Sequence, residues 1–155
     1  MKIALISPNA ANLRAMSATF TALSHQVIAL EGGKARMRLA AEQESPDVML
    51  IEGMCRDVGE LESVEYVTRH YPDTAVVLLC SSHTPEFLIQ SMRAGVREVL
   101  PSPADASTLE ALAARLESKV KGSQARANGR ILSFIGCKGG SGTTFLTTNV
   151  GHHLS

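Results

Sequence analysis

The residues best suited to chemistry lie near the end of the chain, in Arg130-Ile-Leu-Ser-Phe-Ile-Gly-Cys-Lys-Gly-Gly-Ser-Gly-Thr-Thr144. Residues 130–135 form a short apolar run of strand formers, and Gly139, Gly140 and Gly142 then permit a tight turn whose N–H groups point inward. Such a nest fits the β- and γ-phosphates of a nucleotide. A helix expected over residues 144–154 would aim its positive end at the same anion. Against the phosphate-loop pattern G-x-x-x-x-G-K-[ST], the stretch departs twice: Cys137 holds the first glycine position and Thr143 the lysine position. Gly142 and Thr144 remain, Thr144 supplying the hydroxyl expected on Mg²⁺. A lysine survives at Lys138, ahead of the glycine pair, and Ser141 fills the loop. The bland alternative is a glycine-rich turn after a strand.

A phosphate loop works only when a sheet and helices hold it, and the preceding chain alternates short apolar runs with helix-patterned segments. Strands are expected at residues 3–7, 26–30, 48–52, 75–80 and 96–100, and helices at 10–23, 34–44, 61–70, 85–94 and 105–119. Asn9 is placed to cap the first helix, Gly32-Gly33 breaks the second strand, and Gly95 closes the fourth helix. The unbroken run Val48-Met49-Leu50-Ile51 predicts a strand buried on both faces. Inward-facing candidates are Met37, Leu39, Ala40 and Ala41 in the second helix, Leu61, Val64, Tyr66 and Val67 in the third, and Leu109, Leu112, Leu116 and Val120 in the fifth. Five βα units close economically only as a parallel sheet with helices on both faces, since each crossover is right-handed. The expected fold class is α/β, a flavodoxin-like doubly wound sheet of order 2-1-3-4-5. Residues 121–129 are polar and read as a linker, separating a domain over 1–120 from the opening strand and helix of a second over 130–155.

Composition narrows the function classes. Fifteen basic and fifteen acidic side chains cancel, so there is no global electrostatic case for nucleic acid or an anionic membrane. No signal peptide and no long apolar run is present, which points to a cytoplasmic protein without direct membrane insertion. Cys55, Cys80 and Cys137 form no C-x-x-C pair and read as free thiols. The histidines lack the i,i+4 spacing of a helical metal site, and none is expected.

Lys138 before a glycine pair resembles the deviant phosphate loop of the ParA/MinD family of dimerising ATPases, K-G-G-x-G-K-[ST]-[ST]. The resemblance implies that Lys138 reaches across a dimer to the partner's nucleotide, and that ATP and Mg²⁺ bind only the complete ATPase domain. The small residue at Thr143 is similar to the CpaE/TadZ branch, the pilus-assembly ATPases. A chain ending at Ser155 lacks the carboxylates and switch loops of such a domain and is not expected to hydrolyse ATP.

Residues 1–120 resemble the receiver domain of two-component response regulators, CheY-like in register. Pro46-Asp47, the Ser91-Met-Arg-Ala-Gly95 helix close and Leu100-Pro101-Ser102-Pro103 match that family's punctuation. A working receiver needs acidic residues for Mg²⁺, an aspartate nucleophile, a switch hydroxyl and a lysine. By resemblance, Ser7, Pro8 and Asn9 stand in place of the acidic cluster, Glu52 in place of the aspartate, Cys80 or Ser81 at the switch position, and Ser102 in place of the lysine. This predicts a pseudo-receiver in which Glu52 either mimics a phosphorylated aspartate or is a solvated strand-end carboxylate. The Ser102-Pro103 bond is expected to be cis, as its counterpart in receivers often is.

A receiver-like domain ahead of a deviant ATPase is the domain order of CpaE/TadZ proteins, which act in type IVb (Flp/Tad) pilus assembly. The resemblance implies a non-catalytic module that homodimerises, marks a cell pole or assembly site, and docks pilus and secretion assembly proteins. Pairing is expected through residues 84–119, with Phe87, Leu88, Met92, Val96 and Leu112 as apolar contacts or core residues. The competing readings are a phosphoryl-accepting receiver in two-component signalling and an authentic nucleotide hydrolase.

Overall fold

The computed structural model describes residues 1–53, Cys55, residues 57–127, Phe145 and Asn149, with the side chains of the last long helix described as far as Ser118. Strands run over Lys2–Ser7 (β1), Gln26–Glu31 (β2), Val48–Glu52 (β3), Ala75–Cys80 (β4) and Glu98–Pro101 (β5). Helices occupy Ala10–Ala22 (α1), Ala35–Glu44 (α2), Glu62–His70 (α3), Pro85–Arg93 (α4) and Ala106–Ala127 (α5), and a 3₁₀ turn at Val58–Leu61 leads into α3. The sheet is parallel throughout, in the order β2-β1-β3-β4-β5. This is the flavodoxin-like architecture expected from the alternation of elements, and the CheY-like one that the receiver resemblance implied. The chain divides into two compact units, Met1–Lys121 and Gly122–Ser155.

Period-two alternation in the strands sorts their side chains onto two cores. Ala4, Ile6, Met49, Ile51, Val76, Leu78 and Cys80 pack beneath α2, α3 and α4. Ile3, Leu5, Val48, Leu50, Val77 and Leu79 pack beneath α1 and α5, against Leu13, Met16, Phe20, Leu109, Leu112 and Leu116. Every residue of β3 is buried, as a central strand covered on both faces requires.

The helices follow their end signals. Asn9 caps α1, its Oδ1 accepting from Ala11 N at 2.9 Å and Asn12 N at 3.3 Å. Thr84 caps α4 through Phe87 N at 3.1 Å, with Pro85 in the first turn. Gly95 follows α4 with φ +90°, and a Cβ there would lie 3.0 Å from Thr68 Cβ. The carbonyl of Ala94 beside it accepts from Thr68 Oγ1 at 2.8 Å.

Three expectations change. In α2, Met37, Ala40 and Ala41 are buried but Leu39 is 38% exposed, because the i, i+3, i+4 set defines the inward stripe and Leu39 falls outside it. Leu61 at the end of the 3₁₀ turn and Val64 and Val67 of α3 are buried, whereas Tyr66 is half-buried at the rim, under the Arg38 guanidinium at 4.1 Å and stacked on His70. Finally, α5 continues to Ala127, so most of the expected linker has helical backbone. Ser123, Gln124, Ala125, Arg126 and Ala127 contain no breaker, and straight-chain residues with alanine sustain a helix even without an apolar face. Val120 lies beyond the described side chains.

Candidate functional site

In a doubly wound sheet, functional groups gather in the crevice outside the carboxyl ends of the strands. Here Ser7 ends β1, Glu52 ends β3, Cys80 ends β4, and Ser102 follows β5. An open cavity of about 360 Å³ lies at this edge, lined among others by Pro8, Asn9, Glu52, Cys55, Ser81 and Ser102.

Glu52 organises the cavity floor. Its Oε2 accepts from the Ser7 hydroxyl, and its Oε1 accepts from the Ser102 hydroxyl and, at 2.7 Å, from Asn12 Nδ2. Strand alternation puts Ser7 and Glu52 on the α1/α5 side, and the first turn of α1 delivers Asn12 to the same carboxylate. Glu52 is only 8% exposed and Ser7 is fully buried. Glu52 is therefore not the solvated strand-end carboxylate that one expectation described. Asn9, meanwhile, spends its side chain on the α1 cap and donates its N–H to Ser7 Oγ at 2.9 Å.

Among the described residues lining the cavity, Glu52 is the one carboxylate and there is no cation. No group of three or more His, Cys, Asp or Glu among the described residues is placed to hold a metal. The two candidates for the switch position part company. Ser81 lines the cavity, whereas Cys80 is buried on the α2–α4 side and bonded to Cys55, with a Cα–Cα distance of 5.5 Å. The reading of Cys55 and Cys80 as free thiols is thus corrected. Spacing rules test only local pairs, and the sheet brings together residues 25 apart in sequence. The Ser102-Pro103 peptide is cis.

Asn12 was not among the expected site residues. Its signal was modest: an amide three residues after a helix-capping Asn9, on the turn that starts at the strand edge. The phosphate-loop residues Lys138, Gly139, Gly140, Ser141, Gly142, Thr143 and Thr144 lie outside the described residues. Within the helix expected there, Phe145 and Asn149 have helical backbone, and Asn149 Nδ2 donates to Phe145 O at 2.8 Å.

On the expected pairing face, Phe87, Val96 and Leu112 are core residues, 3%, 7% and 0% exposed. Met92 is 74% exposed, Leu88 is half-buried, and the unanticipated Ile89 is 53% exposed. No helix among the described residues is long and apolar enough to cross a membrane.

The fold is that of a receiver-type domain. Neither a protein-family model nor a curated protein matches the chain. Among solved structures, it is similar to a pilus assembly protein (cpaE) from Burkholderia thailandensis E264, at 25% identity, TM-score 0.67, 76% of this chain and 98% of that one. A pilus assembly-related protein from Burkholderia pseudomallei K96243 aligns at 24% identity and TM-score 0.68, over 77% of this chain and 90% of the other. The signal receiver domain of a Luxo repressor protein from Vibrio parahaemolyticus shares the fold, with TM-score 0.70 at 12% identity over 83% and 98% of the two chains.

Proposed function

We propose that residues 1–120 form a pseudo-receiver, a non-catalytic interaction module of a CpaE/TadZ-like protein that helps to localise and assemble type IVb (Flp/Tad) pilus machinery. The observation that carries this reading is the state of Glu52. Phosphoryl transfer to a strand-end carboxylate needs a free oxygen, a divalent cation beside it and a positive group to follow the charge. Glu52 instead has both oxygens occupied by Ser7, Asn12 and Ser102, with no second acid and no cation among the described lining residues. The bonds join β1, α1, β3 and the start of the segment after β5, so the carboxylate holds the edge that a receiver would rearrange. The similarity to the cpaE structure supports the pilus-assembly setting.

In this reading the module homodimerises and docks pilus and secretion assembly proteins, with Ile89 and Met92 of α4 as its exposed apolar contacts. A ParA/MinD-like ATPase domain beginning near Arg130 binds ATP and Mg²⁺ when complete, with Lys138 as its signature lysine. The protein is cytoplasmic and reaches a pole or membrane site through its partners. Incubation with acetyl phosphate and Mg²⁺, followed by intact-mass measurement, tests the central point. The unmodified mass is expected, and a phosphoryl adduct mapped to Glu52 or a neighbour would restore the signalling reading. Sedimentation of the parent and of a Met92→Glu variant tests pairing: a parent that is monomeric at high micromolar concentration contradicts it.

A further inference from the structure

Cys55 and Cys80 bond across the cavity's other wall. Cys55 sits between β3 and the 3₁₀ turn, and Cys80 is the last residue of β4. The bond therefore ties the loop after Glu52 to the neighbouring strand end, the two segments that border the cavity. We propose that this pair is a reversible dithiol–disulfide site, worked by a low-molecular-weight thiol and its disulfide, and that it sets the freedom of the loop after β3.

Three features of the structure support this. Cys55 lines the cavity and Cys80 does not, so Cys55, though only 8% exposed, is the partner of the bond that a small thiolate can approach from the cavity. The reduced state is also provided for: Cys55 Sγ lies 3.6 Å from Leu79 O, an acceptor placed for the thiol hydrogen after cleavage. Among the described residues, Gly53 N also ties the loop start to β4, donating to Leu79 O at 3.2 Å. Losing the bond removes a covalent tie between Cys55 and the end of β4, whereas β3 and β4 themselves stay paired through their ladder.

The chemistry balances with two equivalents of a monothiol. A small thiolate attacks the Cys55 sulfur, breaking the Cys55–Cys80 bond, and Cys80 leaves as a thiolate that takes a proton from water. A second thiolate attacks the small-molecule sulfur of the mixed disulfide, releasing Cys55 as a thiolate that is protonated in turn. Two small thiols become one small disulfide, and the protein gains two hydrogens. Oxidation is the reverse.

The test uses the full chain equilibrated in glutathione buffers of graded oxidised-to-reduced ratio, acid-quenched, denatured with N-ethylmaleimide and weighed intact. In oxidising buffer one label is expected, on Cys137, with Cys55 and Cys80 linked in the peptide map. In reducing buffer three labels are expected, reached in one two-thiol step. In parallel, amide exchange over residues 53–61 is expected to quicken roughly tenfold on reduction while α5 is unchanged. Cys55→Ser and Cys80→Ser should show the fast exchange in either buffer. Three labels in every buffer, a bridge involving Cys137, a pair that resists glutathione under native conditions, or exchange unaltered by reduction would each overturn the proposal.

Discussion

Replacing Glu52 with alanine removes the acceptor for the Ser7 hydroxyl, the Ser102 hydroxyl and the Asn12 amide together. Hydrogen bonds to a charged group contribute a net of about 1.5–3 kcal/mol each, so three independent ones would come to roughly 5–9 kcal/mol. The three bonds share one carboxylate and are not additive, so the total falls well short of that sum. That leaves Glu52→Ala destabilised by about 3 kcal/mol, a large share of the roughly 5–15 kcal/mol that holds a domain folded. Glu52→Gln behaves differently: its amide oxygen still accepts from Asn12 and Ser102, its NH₂ can meet a rotated Ser7 hydroxyl, and the buried charge is gone. It should lie within about 1 kcal/mol of the parent. Urea unfolding at neutral pH, followed by circular dichroism with the slope checked for constancy, measures both. An alanine variant within about 0.5 kcal/mol of the parent, or a glutamine variant as damaged as the alanine one, refutes the claim that Glu52 binds the strand edge together.

Gly95→Ala should cost about 1–3 kcal/mol in the same assay, since it sets a side chain at φ +90° and 3.0 Å from Thr68; Thr68→Ser should recover part of the loss. His25 packs beside Phe20 and 3.8 Å from Glu117, and burial foremost, with the N-terminal ammonium, holds its imidazole below the usual 6.5 while Glu117 opposes. The unfolded chain therefore takes up this proton first, so stability falls as pH drops below about 6.5 and levels off beneath the folded value; His25→Gln should flatten that segment of a melting-temperature profile. Hydrogen bonds from Ser107 and then Thr108 hold the Asp105 carboxyl, which caps α5, below its ordinary range. Its contribution is present above the usual carboxylate pKa and lost as pH falls through the folded value, so Asp105→Ala should lower the melting temperature at pH 7 but little at pH 2, and Asp105→Asn should retain most of the cap.

The strands were legible because each is a short apolar run between turn residues, and β3 and β4 fall where that pattern puts them. β5 starts two residues later than expected, at Glu98. Val96 N is engaged with Ser91 O at 3.0 Å in the close of α4, and pairing with β4 begins at Val77 opposite Glu98. The site was legible to the extent that topology alone gathers strand ends, which brought Ser7, Glu52 and Ser102 together. What the sequence did not disclose depends on which face a side chain takes. Asn12 joins Glu52 because α1 covers that side, and Cys80 meets Cys55 because alternation turns it the other way. The same cause separates Phe87, Val96 and Leu112, which fill the core, from Ile89 and Met92, which do not.

The three bonds to Glu52 join residues 45, 40 and 50 positions apart. Sliding β3 by a single residue would swing that side chain to the opposite layer and sever all of them in one stroke. Most of β3 is hydrophobic and could tolerate misalignment almost as well as the proper pairing. One acidic group at its tip thereby acts as an index mark, making the correct alignment of distant segments distinguishable from its nearest errors during assembly of the sheet.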